Sequence, residues 1–169
     1  GSDDFISGDI MDNTEVMLRL LNEDIVKGSA KIIFNENLSL GLDVGWDAGS
    51  FSQSAAIMTR LVEDDEGHGL SINAMSTSDM ENTVIPLVIN QSAGQEFRIN
   101  LFTATIPDPN VYLEDVEEGT FTNLYEGDFV YTPTSDLSGV GRFFIHMTAD
   151  TMSNEEVSTT ILNAYKEID

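Results

Sequence analysis

Two histidines, thirty acidic residues and no cysteine set the chemistry open to this chain. His68 lies in Asp64-Asp65-Glu66-Gly67-His68-Gly69, a turn sequence, and His146 in Arg142-Phe143-Phe144-Ile145-His146-Met147, a strand sequence. Neither has a nucleophile motif beside it: there is no Gly-x-Ser-x-Gly elbow and no His-Glu-x-x-His. Without Cys there is no thiolate catalysis, zinc–thiolate site or disulfide. Paired carboxylates hydrolyse glycosides when they sit about 5 Å or about 6.5–9.5 Å apart across a sugar. Most of the acids here fall in turns, where carboxylates bond backbone N–H groups instead. The chain is therefore read as non-catalytic.

Two acidic stretches suit a hard cation, which takes six to eight oxygens from carboxylates and carbonyls. One is Gly41-Leu42-Asp43-Val44-Gly45-Trp46-Asp47-Ala48-Gly49, where glycines let the backbone fold back around Asp43 and Asp47. The other is Glu63-Asp64-Asp65-Glu66. Neither follows the EF-hand pattern. Calcium is the one candidate cofactor, with Asp43 and Asp47 as its ligands, against the alternative that both acids only cap a tight turn. Trp46, the single tryptophan, shares that loop. Trp46, Tyr112 and Tyr125 are the candidate sugar-stacking residues, the two tyrosines being placed around the Asp115 to Gly119 turn. Aromatic residues packed into a core are the competing account.

The elements that must position these residues follow a period of two. Val16, Leu18 and Leu20 alternate with Met17, Arg19 and Leu21; Ala30, Ile32 and Phe34 with Lys31, Ile33 and Asn35; Phe97, Ile99 and Leu101 with Arg98, Asn100 and Phe102. Val111 with Leu113 and Phe129 with Tyr131 continue the pattern. Such alternation marks strands with one buried face. Turn signals separate the runs: Asn22 to Gly28, Gln91-Ser92-Ala93-Gly94 as a short hairpin with glycine at positive φ, Asp115 to Gly119, and Glu126-Gly127-Asp128. About ten strands at this spacing predict an all-β fold, an antiparallel two-sheet sandwich of jelly-roll type. Pro86 cannot donate to a ladder, so an edge or bulge is expected there. After Ser153-Asn154-Glu155-Glu156 the tail fits a short helix or a last strand equally well. Gly1-Ser2 reads as an expression remnant and residues 1–12 as a loose leader, with one sandwich domain over 13–169.

Seven basic residues against thirty acidic ones give a formal net charge of −23. Phosphate neutralisation needs Lys and Arg, so nucleic acid is excluded as a partner, and anionic lipid is disfavoured. The longest apolar run, Val84-Ile85-Pro86-Leu87-Val88-Ile89, is far below the ~20 residues a membrane span requires, and no insertion is expected.

Several phrases occur in an order that resembles one family. They are Lys31-Ile32-Ile33-Phe34-Asn35-Glu36-Asn37, Gly41-Leu42-Asp43 with Trp46-Asp47-Ala48, Leu70-Ser71-Ile72-Asn73-Ala74, Val84-Ile85-Pro86-Leu87, Val111-Tyr112-Leu113-Glu114-Asp115, Phe121-Thr122-Asn123-Leu124, Tyr131-Thr132 and Gly141-Arg142-Phe143. The order is similar to the β-sandwich module that precedes the type IX secretion sorting domain in large exported proteins of Bacteroidetes. It covers roughly Val16 to Met147. The resemblance implies a non-catalytic accessory or spacer domain of a secreted or cell-surface protein, with neighbouring domains of the parent chain as its partners. The alternative is a carbohydrate-binding or adhesive module, calcium-dependent if an ion sits at Asp43 and Asp47, with polysaccharide as partner.

Overall fold

A computed structural model describes residues 14–39, 41, 47–49, 55–63, 65, 67, 69–76, 83–105 and 110–148. The tail after Ser153 lies outside them. Every regular element among the described residues is a strand. They are β1 (Thr14–Asn22), β2 (Ile25–Phe34), β3 (Ala48–Gly49), β4 (Ile57–Thr59), β5 (Leu70–Met75), β6 (Val84–Ile89), β7 (Phe97–Ala104), β8 (Asn110–Asp115), β9 (Thr120–Asn123), β10 (Phe129–Tyr131) and β11 (Phe143–Thr148).

The alternating positions read from the sequence are the ones that point inward. Val16, Leu18 and Leu20 of β1, Ala30, Ile32 and Phe34 of β2, Phe97 and Ile99 of β7, Val111 and Leu113 of β8 and Ile145 of β11 join one buried apolar cluster. Successive side chains of a strand leave on opposite faces, so each of these strands contributes every second residue. Truncating such a fully buried residue, Leu18→Ala for example, costs about 2–5 kcal/mol.

The pairing departs from the expected antiparallel two-sheet sandwich. The strands form one hydrogen-bonded path, β10-β7-β1-β2-β5-β4-β6-β11-β8-β9, with β3 added on β5. The sheet is mixed, because β2 runs parallel to β5 with Lys31 opposite Ile72 and Phe34 opposite Met75. It curls until its ends nearly meet, giving a barrel-like shape with a seam between β9 and β10. Across that seam the Tyr131 hydroxyl donates to Glu118 Oε1 at 3.3 Å, and the Arg142 guanidinium stands 4.9 Å from the Tyr131 ring centroid.

Two turn expectations are corrected. The first link is only Glu23-Asp24, both at positive φ (48° and 70°), so Lys27 and Gly28 belong to β2. Positive φ at two successive residues is the hairpin turn whose twist matches paired strands. Gly94 does sit at positive φ (79°), but β6 and β7 are not partners, so Gln91 to Gly94 is a crossover between distant strands rather than a hairpin.

Pro86 is neither at a sheet edge nor in a bulge. β6 lies inside the path between β4 and β11. Arg60 N–H donates to the Pro86 carbonyl at 3.0 Å, just past the end of β4. The reciprocal bond to the Arg60 carbonyl is the one a proline cannot make. Asn73, buried, supplies it from its Nδ2 at 2.9 Å.

Candidate functional site

Three places concentrate polar side chains. The first is on β8 and β11. Because Ile145 and Met147 turn into the core cluster, Phe144 and His146 face the other way. On that face His146 Nε2 lies 2.8 Å from Glu114 Oε1. An imidazole oriented by a carboxylate is the arrangement that general bases use. Here both side chains are buried, and the Phe121 ring stands edge-on to the imidazole at 5.7 Å. The pair satisfies two buried polar groups and ties two strands together.

The second place is the seam. Asp115 ends β8 and is fully buried. Its Oδ1 accepts from Arg142 Nε at 2.9 Å and its Oδ2 from Arg142 Nη2 at 3.0 Å. Oδ1 also accepts the backbone N–H groups of Glu117 and Glu118 at 3.2 and 3.3 Å. The turn closes through Gly119, whose φ of 68° suits glycine and whose N–H reaches the Asp115 carbonyl at 2.8 Å. The bonds to Asp115 hold the Arg142 guanidinium well above the usual arginine value, against a smaller opposing effect of burial. Glu117 adds an ion pair at 3.0 Å. A cleft of about 400 Å³ opens inside, bordered by Thr120, Thr122, Asp128 and Val130. The phrases ending in Asp115 and running Gly141-Arg142-Phe143, separate in sequence, meet here with Tyr131. Their charge pairing carries no local sequence signal, since the partners are 27 residues apart.

The third place is a groove of about 690 Å³ at the end of the β1–β2 hairpin. Its frame is backbone: Gln91 and Leu137 exchange N–H···O bonds of 3.2 and 2.8 Å, and Asn90 N–H donates to Ala56 O at 2.9 Å. Asn22, Asn90 and Gln91 line it beside Asp136, Ser92, Ser138 and Lys27. Asp136 Oδ1 accepts Ala93 N–H at 2.9 Å. Leu20 pairs with Gly28 and Leu21 with Val26, so Lys27 is the extra residue of a β-bulge. A bulge re-aims a side chain out of the normal alternation. No sequence motif marks this groove, because its walls come from five separate segments.

Tyr112 and Tyr125 do not form one exposed aromatic surface. Tyr112 is only 3% exposed, whereas Tyr125 is 46% exposed. Both stand at the end of the β8–β9 hairpin away from the Asp115 to Gly119 turn: Tyr112 pairs with Asn123, whose Oδ1 accepts the Tyr125 N–H at 3.0 Å. Partial burial raises the Tyr125 phenol above the usual tyrosine value. Asp47 Oδ1 accepts the Ala74 N–H at 2.6 Å, which pins its loop to β5. Asp43, Trp46 and His68 lie outside the described residues. In the second acidic stretch, Asp65 pairs with Arg60 at 2.8 Å and accepts the Gly67 N–H at 3.0 Å. In comparisons with known proteins the chain matches no family model, no curated protein and no solved structure.

Proposed function

We propose that this chain is a non-catalytic accessory or spacer domain of a secreted or cell-surface protein, of the kind that precedes the type IX sorting domain. The observation that supports this most is what the polar clusters are engaged in. His146 is bound to Glu114 under cover, and Asp115 is held by Arg142 and two backbone N–H groups. Both arrangements cross-link strands and leave their reactive atoms committed. The finer architecture we read in the same terms: the two halves of the curled sheet face each other as the layers of a jelly-roll-like sandwich. Incubation with a panel of polysaccharides and ester substrates tests the reading. No turnover is expected, and turnover lost on changing one carboxylate pair of this chain would overturn it.

A second reading, a carbohydrate-binding or adhesive module, is favoured by the groove beside Lys27. Its amides and hydroxyls are the groups that hold a sugar's hydroxyls. The calcium-dependent form of this reading places the ion at Asp43 and Asp47, where it would also orient Trp46.

A further inference from the structure

The groove at the β1–β2 bulge presents a defined set of hydrogen-bonding atoms. Asn22 Nδ2 donates to the Glu96 carbonyl at 3.0 Å, Asn90 Nδ2 to the Ala55 carbonyl at 2.7 Å and Gln91 Nε2 to the Gln95 carbonyl at 3.2 Å. Because each partner is a carbonyl oxygen, the nitrogen of each amide must face it, and the orientation of all three amides is settled. None of the three amide oxygens is a buried atom lacking a partner. With their nitrogens anchored to the backbone, these side chains, which line the groove, keep the amide oxygen as the group that can accept from a ligand. Asp136 and the hydroxyls of Ser92 and Ser138 extend that acceptor-rich wall.

Lys27 is the exception in sign. Among the described residues Lys31, Arg60, Arg98 and Arg142 are each ion-paired, and Arg19 lies against the Phe102 ring. Among the described residues Lys27 has neither kind of partner, in a chain of net charge −23. An ammonium left open beside fixed acceptors matches a ligand with many hydroxyl donors and one anionic group.

We infer that this groove binds an acidic saccharide, a sugar that carries a carboxylate. The amide oxygens and Asp136 accept from its hydroxyls, and the Lys27 ammonium donates to its carboxylate in a charge-assisted hydrogen bond. A neutral sugar would leave Lys27 unused, and a simple anion would leave the acceptor wall unmatched. The inference rests on the carbohydrate-binding reading and adds the class of sugar.

Calorimetric titration of the whole chain with a xylotriose that carries a single glucuronate, and with its methyl ester, tests it, since esterification removes the charge and keeps the hydroxyls. The acid should bind about tenfold tighter or more, the scale of one charge-assisted contact. Lys27→Gln should abolish that difference. Lys27 is exposed, so an unchanged melting temperature is expected and will show that the variant is folded. Equal affinity for acid and ester would leave sugar binding standing and overturn the inference. Binding of neither form would remove both. A preference for the acid that survives Lys27→Gln would overturn the site.

Discussion

Asp115 is where one residue carries most consequence. Taking a carboxylate out of water costs several kcal/mol unless a charge partner and donors replace the solvent, and Arg142 with two backbone N–H groups does so. Asp115→Ala strands the half-buried guanidinium, and an expected loss of about 3–5 kcal/mol follows. Adding Arg142→Leu should recover part of it, because the unpaired charge goes too. Urea unfolding of the single and double variants checks this, and a double variant no better than the single would show that the turn bonds to Glu117 and Glu118 matter more than the ion pair. At Asp47 the Ala74 N–H already occupies one oxygen. Asp47→Ala should therefore cost about 1–2 kcal/mol with or without an ion, as for a lost cap. The proposed calcium makes a separate demand: millimolar calcium should raise the melting temperature of the wild type by mass action and leave the Asp43→Ala, Asp47→Ala variant unmoved. Equal responses would reduce the loop to a turn. The carboxylates of both residues are visible in sequence as turn formers. Which backbone or guanidinium they serve depends on residues 27 positions away in each case.

Among the elements, the strands follow their two-residue period faithfully, while their connections do not follow their local signals. The Glu23-Asp24 turn places two residues at positive φ, a region that costs about 1 kcal/mol or more outside glycine, asparagine and aspartate. Asp24 has a reason to be there, since its carboxylate pairs with Arg98 of β7. Glu23 is exposed and makes no such contact among the described residues. Glu23→Asn should stabilise the hairpin by about 0.5–1 kcal/mol, read as a shift in the urea midpoint with an unchanged slope. A loss of stability would contradict the turn type. Pro86 shows the same limit from the other side: its missing donor pointed to an edge, and the buried amide of Asn73 instead completes the ladder inside the sheet. Nothing in a strand's own residues announces that Asn73 can take over a proline's bond.

For the whole molecule, charge and closure decide the behaviour. Folding gathers a formal −23 onto one small surface, and added salt screens the repulsion. Raising sodium chloride to about 0.5 M should increase the melting temperature, by about 2–4 °C for each kcal/mol relieved. A flat or falling trend would mean that ion pairs such as Arg142 with Asp115 and Arg98 with Asp24 already compensate the charge, because salt weakens those pairs as it screens the rest.

Side-chain alternation is a local property, so the sequence alone determined that the described residues build strands and that Val16, Leu18, Ile32, Ile99 and Leu113 form the core. The net charge of −23 is a sum over residues and was equally open to reading. Strand order is a different kind of quantity. That β2 lies parallel beside β5, that β6 and β7 separate, and that the ends meet at Arg142 and Tyr131 all depend on how far the sheet twists before its edges approach. The groove with Lys27 exists only after that closure, because the curl of the sheet brings Asn22, Asn90, Gln91 and Asp136 to one place while more than a hundred residues of chain separate the first from the last.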